Sequence, residues 1–211
     1  MEKTVTQAEH DRISGAISKA ESTTAGEIYC VVARSSDSYF FSAALIVLAI
    51  ILGLSLIVAF LLESWWFDIR LSVFVGAQVL ASATALGLIY GVPALRLRLV
   101  PRRWQYMRAH DNALRQFLGR NVHLTAERTG VLIFVSMAER YAEIVADAGI
   151  NAKVPQSVWD SVVGDLIEMA QDDRLADGFV SAIDSVASVL AKHFPPRSGD
   201  LNELDDHLVE I

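Results

Sequence analysis

Two long apolar stretches dominate the pattern of hydrophobic and polar positions along this chain. They run from Phe41 to Leu62 and from Leu71 to Val92, carry no charged residue, and are separated only by Glu63 to Arg70. Each has about the twenty residues that an α-helix needs to cross roughly 30 Å of hydrocarbon at about 1.5 Å per residue. The pattern therefore predicts a two-helix transmembrane hairpin, placed at residues 39–95.

Before the hairpin, the pattern predicts one helix and one strand. Thr6, with Glu9 three residues later, forms a capping-box pattern that opens a helix from about Gln7 to Ser22. The apolar run Glu27 to Ala33 predicts a short buried strand.

After the hairpin, periodicity predicts a helix, two strands and two further helices. The predicted ranges are Arg102–Leu118, Val131–Ser136, Tyr141–Asp147, Pro155–Gln171 and Leu175–His193. The four-residue connection between the two strands favours an antiparallel hairpin.

The soluble stretches on the two sides of the hairpin are predicted to form one domain. Residues 1–38 supply a single helix and a single strand, too little to fold alone, so they must combine with residues 96–194. The expected fold class is α/β, with a small mixed sheet flanked by helices and interrupted by the hairpin. The acidic C-terminal tail, 195–211, carries leucines that could dock as a short helix.

The charge of the chain is unevenly distributed. The formal net charge is -7, yet charged residues from Arg96 to Arg103 are all arginine, whereas residues 104–211 hold 17 Asp and Glu against nine Lys and Arg. The arginines predict a cytoplasmic location for that end of the second span, and contact with anionic lipid. The acidic surface argues against nucleic acid as a partner.

Signatures of familiar enzymes and transporters are missing from the sequence. There is no His-Glu-x-x-His motif, P-loop or glycine-rich dinucleotide fingerprint, and the single cysteine, Cys30, lies in a predicted strand. Two spans without ionisable residues argue against a pump or carrier. No catalytic residue is predicted, and whether the protein is an enzyme stays open.

A candidate site follows from the predicted strand directions. If the first two strands are parallel and the third returns antiparallel, then Glu27, Arg128 and Asp147 gather at one edge of the sheet. The carboxylates could bind Ca²⁺ or Mg²⁺, and Arg128 could hold a phosphate. Further ligands could come from the junction of the last two helices, where the candidates are Asp173, Asp172 and Asp177. The alternative is that these residues form ordinary ion pairs at strand ends.

Two other acidic positions have ordinary explanations. Asp172 or Asp173 could N-cap the last helix. Glu139 and Arg140 lie in the predicted hairpin turn, where an exposed pair is expected and contact with lipid head groups or a partner is the alternative.

The segment Arg128 to Ile150, RTGVLIFVSMAERYAEIVADAGI, resembles the TPM domain family, also called the repair family, and particularly its bacterial membrane-protein branch. Thr24 to Val32 is similar to the first strand of that family, and Val158 to Leu190 to its paired C-terminal helices. The resemblance implies a TPM-like α/β sandwich. For some relatives it implies weak acid phosphatase activity, divalent-metal binding, or roles in membrane-complex assembly and repair. Typical relatives carry the membrane helix at one end, whereas here the hairpin splits the domain.

Together these observations predict a two-pass protein of the bacterial inner membrane with a cytoplasmic TPM-like domain that acts as an interaction, assembly or repair module. Its expected partners are the lipid bilayer and another membrane protein, with self-association also open. The alternative function is a metal-dependent, acid phosphatase-like hydrolase of phosphoesters, in which Glu27 and Asp147 hold the ion and Arg128 the phosphate.

Overall fold

A computed structural model describes residues 5–65, 70–125, 128–196 and 204–211. The chain divides into two compact units, which we call the sheet unit (Met1–Ser36 with Tyr106–Ile211) and the helical unit (Asp37–Gln105). The sheet unit is therefore built from both ends of the chain.

The described elements are mostly helices, with one strand before a long helical stretch in the middle, two strands after it and one near the C-terminus. In order they are α1 (Gln7–Glu21), β1 (Glu27–Ala33), α2 (Phe40–Ser64), α3 (Leu71–Gly91), α4 (Pro93–Leu99), α5 (Arg102–Gly119), a 3-10 helix (Val122–Leu124), β2 (Gly130–Ser136), β3 (Tyr141–Ala146), α6 (Ala148–Asn151), α7 (Gln156–Gln171), α8 (Leu175–His193) and β4 (Leu208–Glu210). The capping box at Thr6 is present as predicted, because the Thr6 side chain accepts from the Glu9 amide and the Glu9 side chain accepts from the Thr6 amide.

One mixed sheet with the strand order β3-β2-β1-β4 forms the centre of the sheet unit. β1 pairs in parallel with β2, from Glu27 opposite Gly130 to Ala33 opposite Ser136, and β2 pairs antiparallel with β3. The predicted α/β class, the mixed sheet and both of these pairings are confirmed.

The end of the chain differs from the prediction. A short docked helix was expected in the tail, but Leu208–Glu210 form β4, which runs parallel to β1 beside Cys30–Val32. The Ile211 amide donates to the Val32 carbonyl over 3.0 Å, and the Arg34 amide donates to the Ile211 carbonyl over 2.9 Å. For residues 204–211 the prediction of a helix was wrong, because the open edge of β1 satisfies the backbone of this segment; residues 197–203 of the tail lie outside the described residues.

Each face of the sheet is covered by helices. Ile28, Cys30 and Val32 alternate along β1 with Tyr29, Val31 and Ala33, and the two sets belong to two different apolar clusters. The first cluster includes residues of α1, α7 and α8, and the second includes Ala113 and Phe117 of α5. The sheet unit is thus a sandwich with helices on both faces.

The helical unit contains two helices that are long and apolar enough to cross a membrane, α2 and α3. Most of their large apolar side chains are exposed in the chain. At one end, Arg96 of α4 donates to the carbonyls of Ile89 (2.8 Å) and Tyr90 (2.6 Å), which satisfies acceptors at the end of α3.

Candidate functional site

Glu27 and Asp147 both lie at the end of the sheet where β1 and β2 begin. Glu27 is the first residue of β1 and pairs with Gly130, while the Asp147 amide donates to the Gly130 carbonyl over 3.0 Å. The Glu27 amide donates to the carbonyl of Thr129 over 3.2 Å. Arg128 lies two residues before the start of β2, in an exposed position. The structure therefore brings these three residues to one end of the sheet.

Gly130 and the carbonyl group of Val122 separate the carboxylates of Glu27 and Asp147. Since adjacent strands lie about 4.8 Å apart, Glu27 and Asp147 on either side of Gly130 are about 10 Å apart at their backbones. A Cβ atom at Gly130 would meet the Val122 carbonyl oxygen at 2.0 Å, so the 3-10 helix covers this position closely. Both acidic residues are buried, with 7% of Glu27 and 8% of Asp147 exposed.

Asp147 has a local structural role. Its Oδ1 accepts the Ala148 amide over 2.6 Å and its backbone is extended, so it is the N-cap of α6. Its Oδ2 is buried and accepts no hydrogen bond. An unbonded buried carboxylate oxygen is costly, and it is the feature of this end of the sheet most suggestive of a missing partner.

Asp173 lies at the opposite end of the sheet. It lines a cleft together with Ser136, the last residue of β2, and seven residues of strand separate that end from Gly130 by about 20 Å. The structure does not bring Asp173 to Glu27 and Asp147. The predicted N-cap role of Asp172 or Asp173 is wrong, because the N-cap of α8 is Arg174 and Asp173 instead adopts a left-handed backbone (φ 57°) just after α7.

The three carboxylates of the predicted divalent-metal site are not brought together. Over the described parts of the chain, no group of three or more His, Cys, Asp or Glu side chains is arranged to hold a metal ion. Ca²⁺ takes six to eight oxygen ligands and Mg²⁺ demands near-octahedral geometry, usually with carboxylates of the protein in the shell. With Asp173 some 20 Å away, only the carboxylates of Glu27 and Asp147 remain, and water or substrate would have to supply the other ligands.

A buried polar network occupies the end of the sheet where β1 and β2 finish. Glu139, in the turn between β2 and β3, is 1% exposed and accepts the Ser36 amide over 2.9 Å and the Ser35 hydroxyl over 3.2 Å. The Ser136 hydroxyl donates to its other oxygen over 2.5 Å. The expected exposed turn pair is wrong for Glu139, because three donors from β2 and from the segment after β1 surround its carboxylate.

A cleft of about 470 Å³ opens at this same end, beside the C-terminal half of α7. Its lining combines the polar residues Arg140, Gln171 and Asp173 with apolar ones such as Leu166 and Ile167. Arg140 (φ 51°) and Asp173 both have left-handed backbones, which cost a non-glycine residue roughly 1 kcal/mol and occur often at functional sites. Ligands of α/β proteins commonly bind at the carboxyl ends of parallel strands.

This cleft and the Glu139 network are the features that sequence reasoning missed. A signal was present, since Ser136 directly follows the apolar run of β2 and Ser35 and Ser36 follow β1. Hydroxyls immediately after two parallel strands meet at one edge of the sheet, and a carboxylate in the adjoining turn is then within reach.

A further buried carboxyl group, that of Glu21, lies beside the start of β1. Glu21, the last residue of α1, accepts the Ile28 amide through Oε1 over 2.9 Å. Burial raises the pKa of Glu21 to about 9, and the nearby carboxylates of Asp206 and Glu27 add to the increase. Glu21 is therefore protonated at neutral pH. Cys30, two residues after Ile28 in β1, is buried, and this burial raises the pKa of its thiol.

Residues 98–189 match the family model of the TPM domain. The chain contains a TPM domain. The match includes β2, β3, α7 and α8, together with Glu139, Asp147 and Asp173, and it begins after α3. β1, which lies before α2 and α3 and outside the matched residues, pairs with β2 of the matched region along its whole length.

One solved structure is similar to the whole chain. It is the NMR structure of BA42 protein from the psychrophilic bacterium Bizionia argentinensis, with a TM-score of 0.62 and 20% identity, covering 100% of this chain and 98% of the other. At this identity the likeness shows the shared TPM fold. None of the curated proteins matches the chain.

Proposed function

We propose that this protein is a two-pass membrane protein whose TPM domain is an interaction module for the assembly or repair of membrane proteins. The observation that carries the proposal is the insertion of α2 and α3 between two strands that pair along seven residues. Apolar helices of this length, with almost no protein covering them, would be strongly unfavourable in water. An even number of crossings returns the chain to the side from which it entered, as the pairing of β1 with β2 requires.

The arginines after α3 favour a cytoplasmic TPM domain. Arg96, Arg98, Arg102 and Arg103 lie within about a dozen residues of the end of α3, and positively charged flanks are retained on the cytoplasmic side. The proposed location is therefore the bacterial inner membrane, with residues 39–95 forming the membrane hairpin.

The cleft at the carboxyl end of the sheet is the proposed binding site of the module. It combines apolar area, which supplies binding energy, with charged groups of both signs, which fix orientation. Arg140 and Asp173 hold strained backbones there, and such strain persists where it serves a function.

Site-specific photocrosslinking in intact cells tests this assignment. A photoreactive residue at Gln171, which lines the cleft, should capture a discrete protein, and Arg140→Glu should reduce the adduct several-fold. Gln156, exposed at the other end of the same helix, is the matched control and should capture none. Equal adducts at the two positions would contradict the proposed site.

The alternative is the metal-dependent, acid phosphatase-like hydrolase, supported by the resemblance and by the unbonded Oδ2 of Asp147. It predicts phosphoester turnover that depends on Ca²⁺ or Mg²⁺ and is lost in Asp147→Asn and Glu27→Gln. Asp160→Asn, at an exposed position on α7, is the control. Turnover that is the same in all of these proteins would remove this assignment.

A further inference from the structure

The helix that follows the second apolar span has two apolar faces, one of which is not covered by protein. Ala109, Ala113 and Phe117 of α5 are buried against the sheet. About 120° away around the helix axis, Met107 (52% exposed), Leu114 and Leu118 (56% exposed) form a second row, which we call the outward stripe. Spacings of seven and four residues place its members on one side of the helix.

The charged residues of α5 and of the segment just before it are almost all positive. From Arg96 to Arg120 the chain has seven arginines and one acidic residue, Asp111, within a protein of net charge -7. Arg115 is exposed and lies one helical turn from both Asp111 and Leu118. An apolar row flanked by arginine is the composition of helices that lie in the interface of an anionic bilayer.

The start of α5 is fixed beside the end of the second span. The side-chain amide of Gln105, in the first turns of α5, donates to the carbonyls of Leu97 (2.7 Å) and Val100 (2.8 Å) in and after α4. α4 is in turn held to the end of α3 by Arg96. If α3 crosses the membrane, as the proposed function holds, α5 therefore begins close to the membrane surface.

We propose that the outward stripe of α5 is a lipid-binding surface that lies among the head groups of an anionic membrane and holds the TPM domain against it. This inference rests on the proposed membrane anchorage and adds a second contact between the domain and lipid. The apolar side chains enter the interface, and the flanking arginines pair with lipid phosphates.

Fluorescent labels on the full-length protein test the contact. The protein is labelled at Leu118→Cys, or at Asp160→Cys on α7 as the control, and reconstituted in vesicles of phosphatidylglycerol that contain a head-group quencher. Cys30 can stay in place because it is buried in the sheet, and the unsubstituted protein serves as the blank. We expect quenching at position 118 at least five-fold stronger than at position 160, and weaker quenching in phosphatidylcholine.

Charge reversal separates electrostatic attraction from simple proximity. Each arginine near an anionic surface contributes about five-fold to binding, so Arg115→Glu with Arg108→Glu should bring quenching at position 118 close to the value at position 160. Lys192→Glu, an exposed control on α8, should leave it unchanged. If the double variant does not incorporate, 0.5 M salt should weaken quenching of the labelled parent protein instead.

The outcomes separate this inference from the proposal on which it rests. Protein that does not float with the vesicles overturns both membrane anchorage and the lipid contact. Protein that floats, with position 118 quenched no more than position 160, overturns the lipid contact alone. Protection of position 118 that rises with the protein-to-lipid ratio, without quenching by lipid, would assign the stripe to a second copy of the chain and also overturn it.

Discussion

Replacement of Glu21 by glutamine should stabilise the TPM domain at neutral pH. The folded protein holds the Glu21 carboxyl group in a buried position, where burial raises its pKa from 4.5 to about 9. Between these two values the folded chain binds a proton that the unfolded chain releases, so stability falls as the pH rises through this window. Glutamine cannot ionise, and its Oε1 can still accept the Ile28 amide that Glu21 binds.

The size of the effect follows from the pKa difference. From pH 4.5 to pH 7 the loss of unfolding free energy caused by Glu21 grows by about 1.4 kcal/mol per pH unit. Glu21→Gln should therefore gain on the order of 3 kcal/mol at pH 7 and almost nothing at pH 4.5. For a domain of this size, 3 kcal/mol corresponds to roughly 6–12 °C in the melting temperature.

Circular dichroism measures this pH dependence of stability, through thermal unfolding of the full-length protein in detergent at pH 5, 7 and 8.5. The parent protein should lose stability across the series, and Glu21→Gln should lose much less. Asp184→Asn, at an exposed position on α8, should keep the slope of the parent. Parallel curves for Glu21→Gln and the parent would refute the assignment of a buried, protonated carboxyl group.

Four further substitutions, one of them a control, test the packing of the domain by thermal unfolding. Gly130→Ala should lower the free energy of unfolding by about 3 kcal/mol, because its Cβ would lie 2.0 Å from a backbone oxygen. Gly164→Ala in α7, where a Cβ would meet no neighbouring element within 4 Å, should raise it by about 1 kcal/mol. A similar loss at both positions would contradict the close approach at Gly130. Asp173→Gly should stabilise by about 1 kcal/mol by relieving its left-handed backbone, and no gain would mean that its carboxylate makes a compensating contact. Glu139→Ala should cost about 3 kcal/mol and accelerate hydrogen exchange at the Ser36 amide, and unchanged exchange there would show that the carboxylate is not the acceptor.

The elements with long periodic patterns could be predicted from the sequence. β1 lies at Glu27–Ala33 as predicted, and α7 and α8 begin and end within a residue or so of the predicted ranges. In these segments the burial of side chains follows directly from spacing, so local pattern and tertiary structure agree. The parallel pairing of β1 with β2 also followed, because a helix-bearing connection joins them.

The tail and the turn residues could not be predicted, because distant parts of the chain determine them. Leu208–Glu210 form a strand only because the edge of β1, some 175 residues earlier, is open to pair with them. Glu139 is buried by Ser35 and Ser36, which lie about a hundred residues away on the other side of the hairpin. The tail strand leaves no trace in the local sequence, and the signal for the contact at Glu139 lies in the serines that follow β1 and β2 rather than in the turn itself.

The candidate metal site shows the same limit at the level of side chains. Strand direction correctly placed Glu27 and Asp147 at one end of the sheet, but the sequence could not show that the Val122 carbonyl covers Gly130 between them. Asp173 was assigned to the wrong end, because the turn between α7 and α8 meets the sheet beside Ser136 rather than beside Gly130.

Cysteine labelling in intact cells and spheroplasts tests the central claim most directly, namely that a hairpin which crosses the membrane interrupts one cytoplasmic TPM domain. Single cysteines at Asp11 in α1, Asp160 in α7 and Ser64 at the end of α2 probe the two flanks and the connection between the spans. We predict that a membrane-impermeant maleimide labels position 64 from outside, and that it reaches positions 11 and 160 only after the membrane is opened. Labelling of positions 11 and 160 from opposite sides, or of all three from the same side, would contradict the account.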